Sequence, residues 1–216
     1  DEIGVGCAGG VDITATRTYQ EEAVATGKTG FKLTVNGLQG GHSGMDIIKG
    51  LGNANKFMNR FLLDGFENYG LQIAEINGGG LRNAIPRESV AVFCIDEIHT
   101  EAFKADIAEF TETLKEEYKT LEPNLKVTLE EAPLPEKVMN LGVQEGLLKA
   151  LQAAWNGVYR MSPDIEGLVE TSNNVARVVV KDGEIEVLCL TRSSVESSRT
   201  DLANTIRSVF ELIGCE

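Results

Sequence analysis

The stretch Gly37-Leu-Gln-Gly-Gly-His-Ser-Gly44 decides how the first half of the sequence is arranged. It follows a strand-like run at residues 31–35 and leads into residues 46–62, whose apolar positions recur with a helical period. The pattern predicts a helix that begins at Asp46, with Asp46 as its N-cap. Glycines let the backbone adopt a positive φ and approach another surface closely, so His42 stands on a loop suited to contact with a neighbour. A loop histidine bonded to backbone or water is the alternative interpretation.

A second glycine-rich stretch, Gly78-Gly-Gly-Leu-Arg-Asn-Ala-Ile-Pro86, separates two segments that alternate like antiparallel strands, residues 69–76 and 89–95. A helical stripe over residues 100–118 and a short strand at 125–129 follow. The order β-α-β-β-α-β between residues 30 and 131 is that of a ferredoxin-like sandwich, in which helices cover one face of an antiparallel sheet.

Residues 132–136, which include two prolines, are typical of a linker to a second half. There Asn140 is the predicted N-cap of a helix, and Asp182-Gly183 predicts a hairpin between strands at 167–180 and 184–191. A last helix is predicted to begin near residue 201, and residues 11–19 are a candidate for a missing strand of this half. The predicted fold class is therefore α+β, with two ferredoxin-like lobes and antiparallel sheets whose helices pack on one face. Residues 1–29 form a hinge and an edge strand, residues 30–131 the first lobe, and residues 132–216 the second αββα lobe.

Composition limits the classes of function. The net charge of −13 at pH 7 would repel a phosphate backbone, which argues against a nucleic acid partner. No run approaches the ~18 to 20 apolar residues that a membrane span needs. The four cysteines are scattered without a C-x-x-C pair, which argues against a disulfide framework or a zinc ribbon and favours reduced thiols in the cytoplasm. The sequence begins on Asp1 rather than on methionine, so we expect it to be a piece of a longer protein.

Several stretches resemble the M20 metallopeptidase family and are most similar to its aminoacyl-histidine dipeptidases. The resemblance runs along nearly the whole chain, which makes it more specific than a single glycine pattern. The stretches are Leu38-Gln-Gly-Gly-His-Ser-Gly-Met-Asp46, Gly52-Asn-Ala-Asn55, Arg82-Asn-Ala-Ile-Pro-Arg-Glu-Ser-Val90, Gly6-Cys-Ala-Gly-Gly10, Glu122-Pro-Asn-Leu125 and Val169-Glu-Thr-Ser172.

This resemblance implies that the chain is the lid, or substrate-binding and dimerisation domain, of a zinc-dependent dipeptidase that hydrolyses Xaa-His dipeptides. In that family two zinc ions are held by histidine, aspartate and glutamate side chains of a catalytic domain, which flanks the lid on both sides in sequence. His42 and His99 are the only imidazoles of this chain, and a zinc site needs several converging ligands. We therefore expect no metal site and no catalytic activity in this chain alone.

The resemblance also implies roles for lid residues. A donor aimed at the oxygen that becomes negative during attack on a peptide carbonyl is worth about 3 to 4 kcal/mol, and His42 matches the family's oxyanion donor. Asn83 is the predicted donor to the substrate's carbonyl or carboxylate. Arg192 is the predicted partner of the free C-terminal carboxylate, because its planar fork suits a bidentate contact, and Arg82 competes for that role.

The implied partners are a dipeptide substrate, the protein's own catalytic domain and a second copy in a homodimer. His42 then acts either within one chain or across the dimer. Glu170 and Thr171 either frame the substrate's histidine or are ordinary strand residues. Two other classes of function stay open: a stand-alone ferredoxin-like module that binds an amino acid or regulates, and a purely structural dimerisation unit.

Overall fold

A computed structural model describes residues 8–216 of the chain. Residues 1–7, which carry part of the predicted hinge, lie outside the described residues. The helices are α1 (Ala54–Tyr69), α2 (Thr100–Tyr118), α3 (Leu141–Ala153) and α4 (Glu196–Glu211). The strands are β1 (Gly9–Thr18), β2 (Glu21–Ala23), β3 (Lys28–Asn36), β4 (Gly41–His42), β5 (Gln72–Gly79), β6 (Ala84–Ile85), β7 (Ser89–Asp96), β8 (Lys126–Glu131), β9 (Lys137–Met139), β10 (Gly157–Met161), β11 (Val169–Lys181) and β12 (Glu184–Ser193).

The main sheet has eight strands in the order β1-β12-β11-β5-β7-β3-β8, with β10 beside the first part of β11. Every pair in it is antiparallel. The order β8-β3-β7-β5, with α1 and α2 in the connections, is the predicted ferredoxin-like arrangement of the first half. The predicted α+β class with antiparallel strands is therefore confirmed.

The two halves share this one sheet, because the end of β5 pairs with the second part of β11, from Gly79↔Arg177 to Ile76↔Val180. On the far side of β11, β1 pairs with β12 along its whole length, so the prediction that residues 11–19 complete the second half is confirmed. Asp182 and Gly183 have φ values of 51° and 77°, which is the conformation that a tight two-residue hairpin turn requires. The division into lobes at residues 131 and 132 stays a prediction.

One apolar core lies between the sheet and the helices and runs through both halves. In the first half the fully buried ring of Phe93 lies 6.1 Å from that of Phe31 and 5.7 Å from that of Phe103, measured between centroids. The neighbouring Cys94 points to the other face of the sheet, where it packs near Val138 of the small β2–β9 ribbon. Aromatic packing thus covers one face of this half of the sheet, and the β2–β9 ribbon packs on the other.

The prediction that the first helix begins at Asp46 is wrong. Residues Ile47–Lys49 form a single 3₁₀ turn, and Gly50 ends that turn with a φ of 67°. The helix α1 begins after Asn53, whose side-chain oxygen accepts hydrogen bonds from the backbone N–H groups of Asn55 and Lys56 at 3.0 and 3.2 Å. The left-handed glycine interrupts a helical run of apolar residues, so the cap moves to the next residue that can supply one.

Short strands account for most of the other differences from the sequence prediction. The strands β2, β4, β6 and β9 have two or three residues each, too few to show an alternating pattern. At the other end of the chain, α4 begins at Glu196, earlier than its apolar stripe predicts. The predicted cap of α3 is confirmed, because the side chain of Asn140 accepts a hydrogen bond from the backbone N–H of Val143 at 2.9 Å.

Candidate functional site

The two glycine-rich stretches of the sequence meet in space. They pair as the two-stranded ribbon β4–β6, with Gly41 opposite Ile85 and His42 opposite Ala84. The backbone N–H of Ser43 extends this pairing by donating to the carbonyl of Asn83 at 2.8 Å. The ribbon therefore places His42 and Asn83, two of the predicted site residues, on adjacent segments.

The imidazole of His42 is held by its own loop. Its Nδ1 accepts from the backbone N–H groups of Gly44 and Met45, both at 3.2 Å. Because Nδ1 serves as an acceptor, the neutral ring carries its proton on Nε2. The ring is half-buried, and Nε2 has no hydrogen-bond partner within residues 8–216. His42 thus presents one N–H donor with a fixed orientation.

The carboxylate of Asp46 fixes the other end of this loop. Its Oδ2 accepts from the backbone N–H of His42 at 2.7 Å, and its Oδ1 accepts from Nζ of Lys49 at 2.6 Å. The Lys49 hydrogen bond and, next, the His42 N–H hold the pKa of Asp46 below its usual value. Asp46 is therefore an anchor for the backbone of His42 rather than a helix cap.

Arg192 approaches the same loop from the main sheet. A Cβ added to Gly44 would lie 3.1 Å from Cε1 of His42 and 3.4 Å from Cδ of Arg192, so the glycine separates the two side chains without filling the space. Arg192 stands on β12 between Gly10 and Ser172 of the neighbouring strands. Its Nε is buried and has no hydrogen-bond partner among the described residues. The structure thus brings together His42 and Arg192, which are far apart in sequence.

Arg82 has a different environment from Arg192. Its guanidinium donates to the backbone carbonyl of Ile13 at 3.0 Å and to Oγ1 of Thr14 at 2.6 Å, so it fastens the turn to β1. The neighbouring Asn83 is exposed, and its side-chain amide makes no hydrogen bond within residues 8–216. Of the two arginines, Arg192 has the freer guanidinium.

Glu170 and Thr171 belong to a buried polar run on β11. The carboxylate of Glu170 lies 3.5 Å from Nε of Arg160, and the hydroxyl of Thr171 lies 2.9 Å from that of Ser193. Sequence reasoning missed the member of this run that contacts the ribbon, Asn174. The available signal was the unbroken polar run 170–174 inside a long strand, where one face at least is expected to be apolar.

The described residues do not fit a metal site. No three histidine, cysteine, aspartate or glutamate side chains in residues 8–216 converge so as to hold a metal ion. His99 lies just before α2, where its ring packs edge-on against Tyr69 at 6.0 Å. Cys94, Cys189 and Cys215 are buried free thiols. No helix in the described part of the chain is long and apolar enough to cross a membrane.

Comparison with known proteins adds to this geometry. Residues 26–122 match the peptidase dimerisation domain of the M20 type. Over 215 residues the chain is 39% identical to the cytosol non-specific dipeptidase of Escherichia coli (strain K12), covering 100% of this chain and 44% of that protein. The crystal structure of aminoacylhistidine dipeptidase from Vibrio alginolyticus superposes with a TM-score of 0.95 at 38% identity, covering 98% of this chain and 43% of that one. The chain thus spans less than half the length of each relative.

Proposed function

Because residues 26–122 match the M20 peptidase dimerisation domain, we propose that the chain is the lid of a longer metallo-dipeptidase. In this proposal it binds a dipeptide and presents it to a catalytic domain outside this sequence. The observation that carries the proposal is the convergence of His42 and Arg192 on either side of Gly44, next to the turn of Asn83. The names of the two relatives support dipeptides as the substrate class, with Xaa-His dipeptides as the proposed substrates.

His42 is the proposed oxyanion donor. Attack on the peptide carbonyl moves negative charge onto its oxygen, and an oriented N–H is worth most at that stage because it needs no reorganisation. The acceptor role of Nδ1 leaves Nε2–H as the outward donor, which supports this assignment. His42 is neutral in this role and transfers no proton.

Arg192 and Asn83 are the proposed substrate anchors. The guanidinium of Arg192 makes no hydrogen bond among the described residues, and a carboxylate is the ligand that its planar fork fits best. Asn83 supplies amide donors at the exposed turn beside it. Arg82 is the weaker candidate, because its guanidinium is already bonded to β1.

The remaining parts of the proposal concern the whole protein. Zinc, as two ions, belongs to the catalytic domain, since the described residues offer no site. The end of β5, from Ile76 to Gly79, pairs with β11 of the same chain, which supports His42 acting within its own chain. A homodimer then forms through another surface, and the protein works in the cytoplasm, where the name of the Escherichia coli relative places that enzyme.

The test is turnover of a β-alanyl-histidine dipeptide by the full-length protein carrying His42→Ala. We expect kcat to fall about 100- to 1,000-fold, because one oxyanion donor is lost. His99→Ala is the matched control, since it removes the other histidine, whose ring packs against Tyr69 just before α2, and should leave kcat unchanged. Unchanged turnover in His42→Ala would favour a structural dimerisation unit instead.

A second measurement separates the lid from a complete enzyme. The 216-residue chain alone, supplied with zinc, should neither hydrolyse the dipeptide nor retain zinc stoichiometrically. Stoichiometric zinc with turnover would contradict the proposal, because it would place the metal site within this chain. Tight binding of a free amino acid to the chain alone would favour the regulatory module.

A further inference from the structure

Asn174 is a buried side chain that the proposed chemistry does not use. It lies on β11 with 1% of its surface exposed. Its Nδ2 donates to the carbonyl of Arg82 at 3.2 Å and to that of Ala84 at 2.8 Å, the residues on either side of Asn83 in sequence. Carbonyl oxygens only accept hydrogen bonds, so the nitrogen of the Asn174 amide must face them.

Two further asparagines, Asn53 and Asn156, pack on the other side of Asn174 from the turn. Asn53, the N-cap of α1, donates from Nδ2 to Oδ1 of Asn156 at 2.9 Å and to the carbonyl of Val175 at 3.0 Å. The same Nδ2 lies 3.4 Å from Oδ1 of Asn174. Asn156 in turn accepts from the backbone N–H of Val175 at 2.9 Å. The rotamer of Asn174 is therefore set by the start of α1 and by its own strand.

We propose that Asn174 is a positioning residue, whose amide clamps the turn of Asn83 and, through the β4–β6 pairing, sets the place of His42. The clamp spans Arg82 to Ala84, and Ala84 is the residue paired with His42. Ser43 adds a second link, since its N–H bonds the carbonyl of Asn83 at 2.8 Å. One buried amide on the main sheet thus orients both segments that carry the site. The catalytic consequence rests on the proposed function.

The variant Asn174→Asp tests the clamp with little change of shape. A carboxylate cannot donate, and it would face two carbonyl oxygens, so both hydrogen bonds are lost. Asn59→Asp is the matched control. Asn59 is also 1% exposed, and its Nδ2 donates to the carbonyl of Leu148 at 3.1 Å, between α1 and α3. The two variants lose comparable buried hydrogen bonds, but only Asn174→Asp loses bonds to the β4–β6 ribbon and its turn.

The first readout is amide hydrogen exchange in the full-length protein, which does not depend on the proposed function. We expect Asn174→Asp to speed exchange at Ser43, whose N–H closes the ribbon, by at least tenfold relative to Asn59→Asp. Exchange at Ser43 that is the same in both variants would overturn the clamp.

The second readout is steady-state hydrolysis at a temperature where both variants are folded. We expect Asn174→Asp to lower kcat about 10- to 100-fold, because small misplacements of reacting groups have effects of that size, while Asn59→Asp changes it little. The deficit of Asn174→Asp should narrow as the pH is lowered, since a protonated carboxyl regains one donor. Fast exchange at Ser43 with unchanged kcat, in a protein whose His42→Ala variant is impaired, would overturn the catalytic consequence. An unimpaired His42→Ala variant would instead overturn the proposed function.

Discussion

The two halves of the main sheet bury different kinds of side chain. In the first half the fully buried positions of β3, β5 and β7 are mostly apolar, as with Phe31, Ile73 and Phe93. In the second half, the first part of β11 and the facing end of β12 bury a polar set. Its members, each at most 5% exposed, are Glu170, Thr171, Ser172, Asn173, Asn174, Thr191 and Ser193.

The apolar side chains buried in the first half mainly stabilise the fold, whereas the polar side chains buried in β11 and β12 mainly orient their neighbours. Buried polar groups give little net stability even when they are hydrogen-bonded, and they destabilise the fold when left unpaired. They do, however, restrict their neighbours to one arrangement. The polar set lies next to Arg192 and the β4–β6 ribbon, where the orientation of the proposed site residues matters most. We therefore expect changes in the apolar set of the first half to alter stability, and changes in the polar set of β11 and β12 to alter the site.

The largest expected effect is on the apolar side of this comparison. Phe93→Ala removes a fully buried ring that packs between Phe31 and Phe103. We expect the free energy of unfolding to fall by about 3 to 5 kcal/mol, through lost burial and the cavity that remains. Urea unfolding of the chain followed by circular dichroism measures this change. In the full-length protein below its melting temperature, kcat should be unchanged. A large loss of kcat would contradict the view that the apolar core of the first half contributes stability without orienting the site.

The next effect is at the junction of the two halves. Gly79→Ala introduces a side chain at a φ of 73°, and its Cβ would lie 1.9 Å from the carbonyl oxygen of Ala176 on β11. We expect a loss of about 2 to 4 kcal/mol, from backbone strain together with a forced separation of β5 and β11.

Gly70→Ala is the control for that junction. Gly70 has a similar φ of 61°, but a Cβ there would meet no atom within 4 Å. This variant should lose only the strain, about 1 to 2 kcal/mol. Equal losses in the two variants, measured by urea unfolding, would mean that the β5–β11 contact adjusts freely and does not join the halves rigidly.

A smaller effect separates helix capping from the buried asparagine network. Asn53→Asp keeps an oxygen to cap α1 but loses the donor to Asn156 and Val175. We expect a loss of about 1 to 3 kcal/mol, the range for leaving a buried acceptor unpaired, because Oδ1 of Asn174 has no other donor among the described residues. Asn140→Asp keeps the cap of α3 and has no such network, so it should stay within about 0.5 kcal/mol of the parent. Thermal denaturation of both variants compares the two losses, and equal losses would contradict a role for the network.

Local patterns predicted the parts of the fold that local chemistry determines. The Asp182-Gly183 turn, the cap of α3 by Asn140 and the strand at residues 11–19 all follow from a few neighbouring residues. The start of α1 could not be predicted in this way. Asp46 and Asn53 are both good capping residues, and the choice between them depends on the contacts of Asn53 with β11.

The candidate site shows the same limit. The glycine-rich stretches and His42 were visible in the sequence. The pairing of the two stretches was not, because it is made by strands of only two residues, one of which accepts a hydrogen bond from Asn174 of β11. Arg192 was the predicted carboxylate partner and Arg82 its competitor, and only the contacts in the structure distinguish them: Arg82 is bonded to Ile13, whereas Arg192 lies beside Gly44. The polar run at residues 170–174 was visible in the sequence, but nothing in it distinguished Asn174, because a single buried asparagine is recognised only by the carbonyls that it contacts.

The smallest expected effect concerns the loop of His42 at acid pH. Because the folded-state pKa of Asp46 is below its usual value, its carboxylate stabilises the loop above the ordinary carboxyl range, and this contribution is lost as the pH falls through the lowered pKa. In an NMR titration the backbone amide of His42 should report that transition, with little change in global stability. Lys49→Gln removes the largest cause of the shift, so the midpoint should move upward. Lys115→Gln breaks a comparable pair with Glu112 on α2 and should leave the midpoint in place. An unmoved midpoint in Lys49→Gln would mean that the His42 N–H alone sets the pKa of Asp46, and that the loop is anchored by hydrogen bonding rather than by charge.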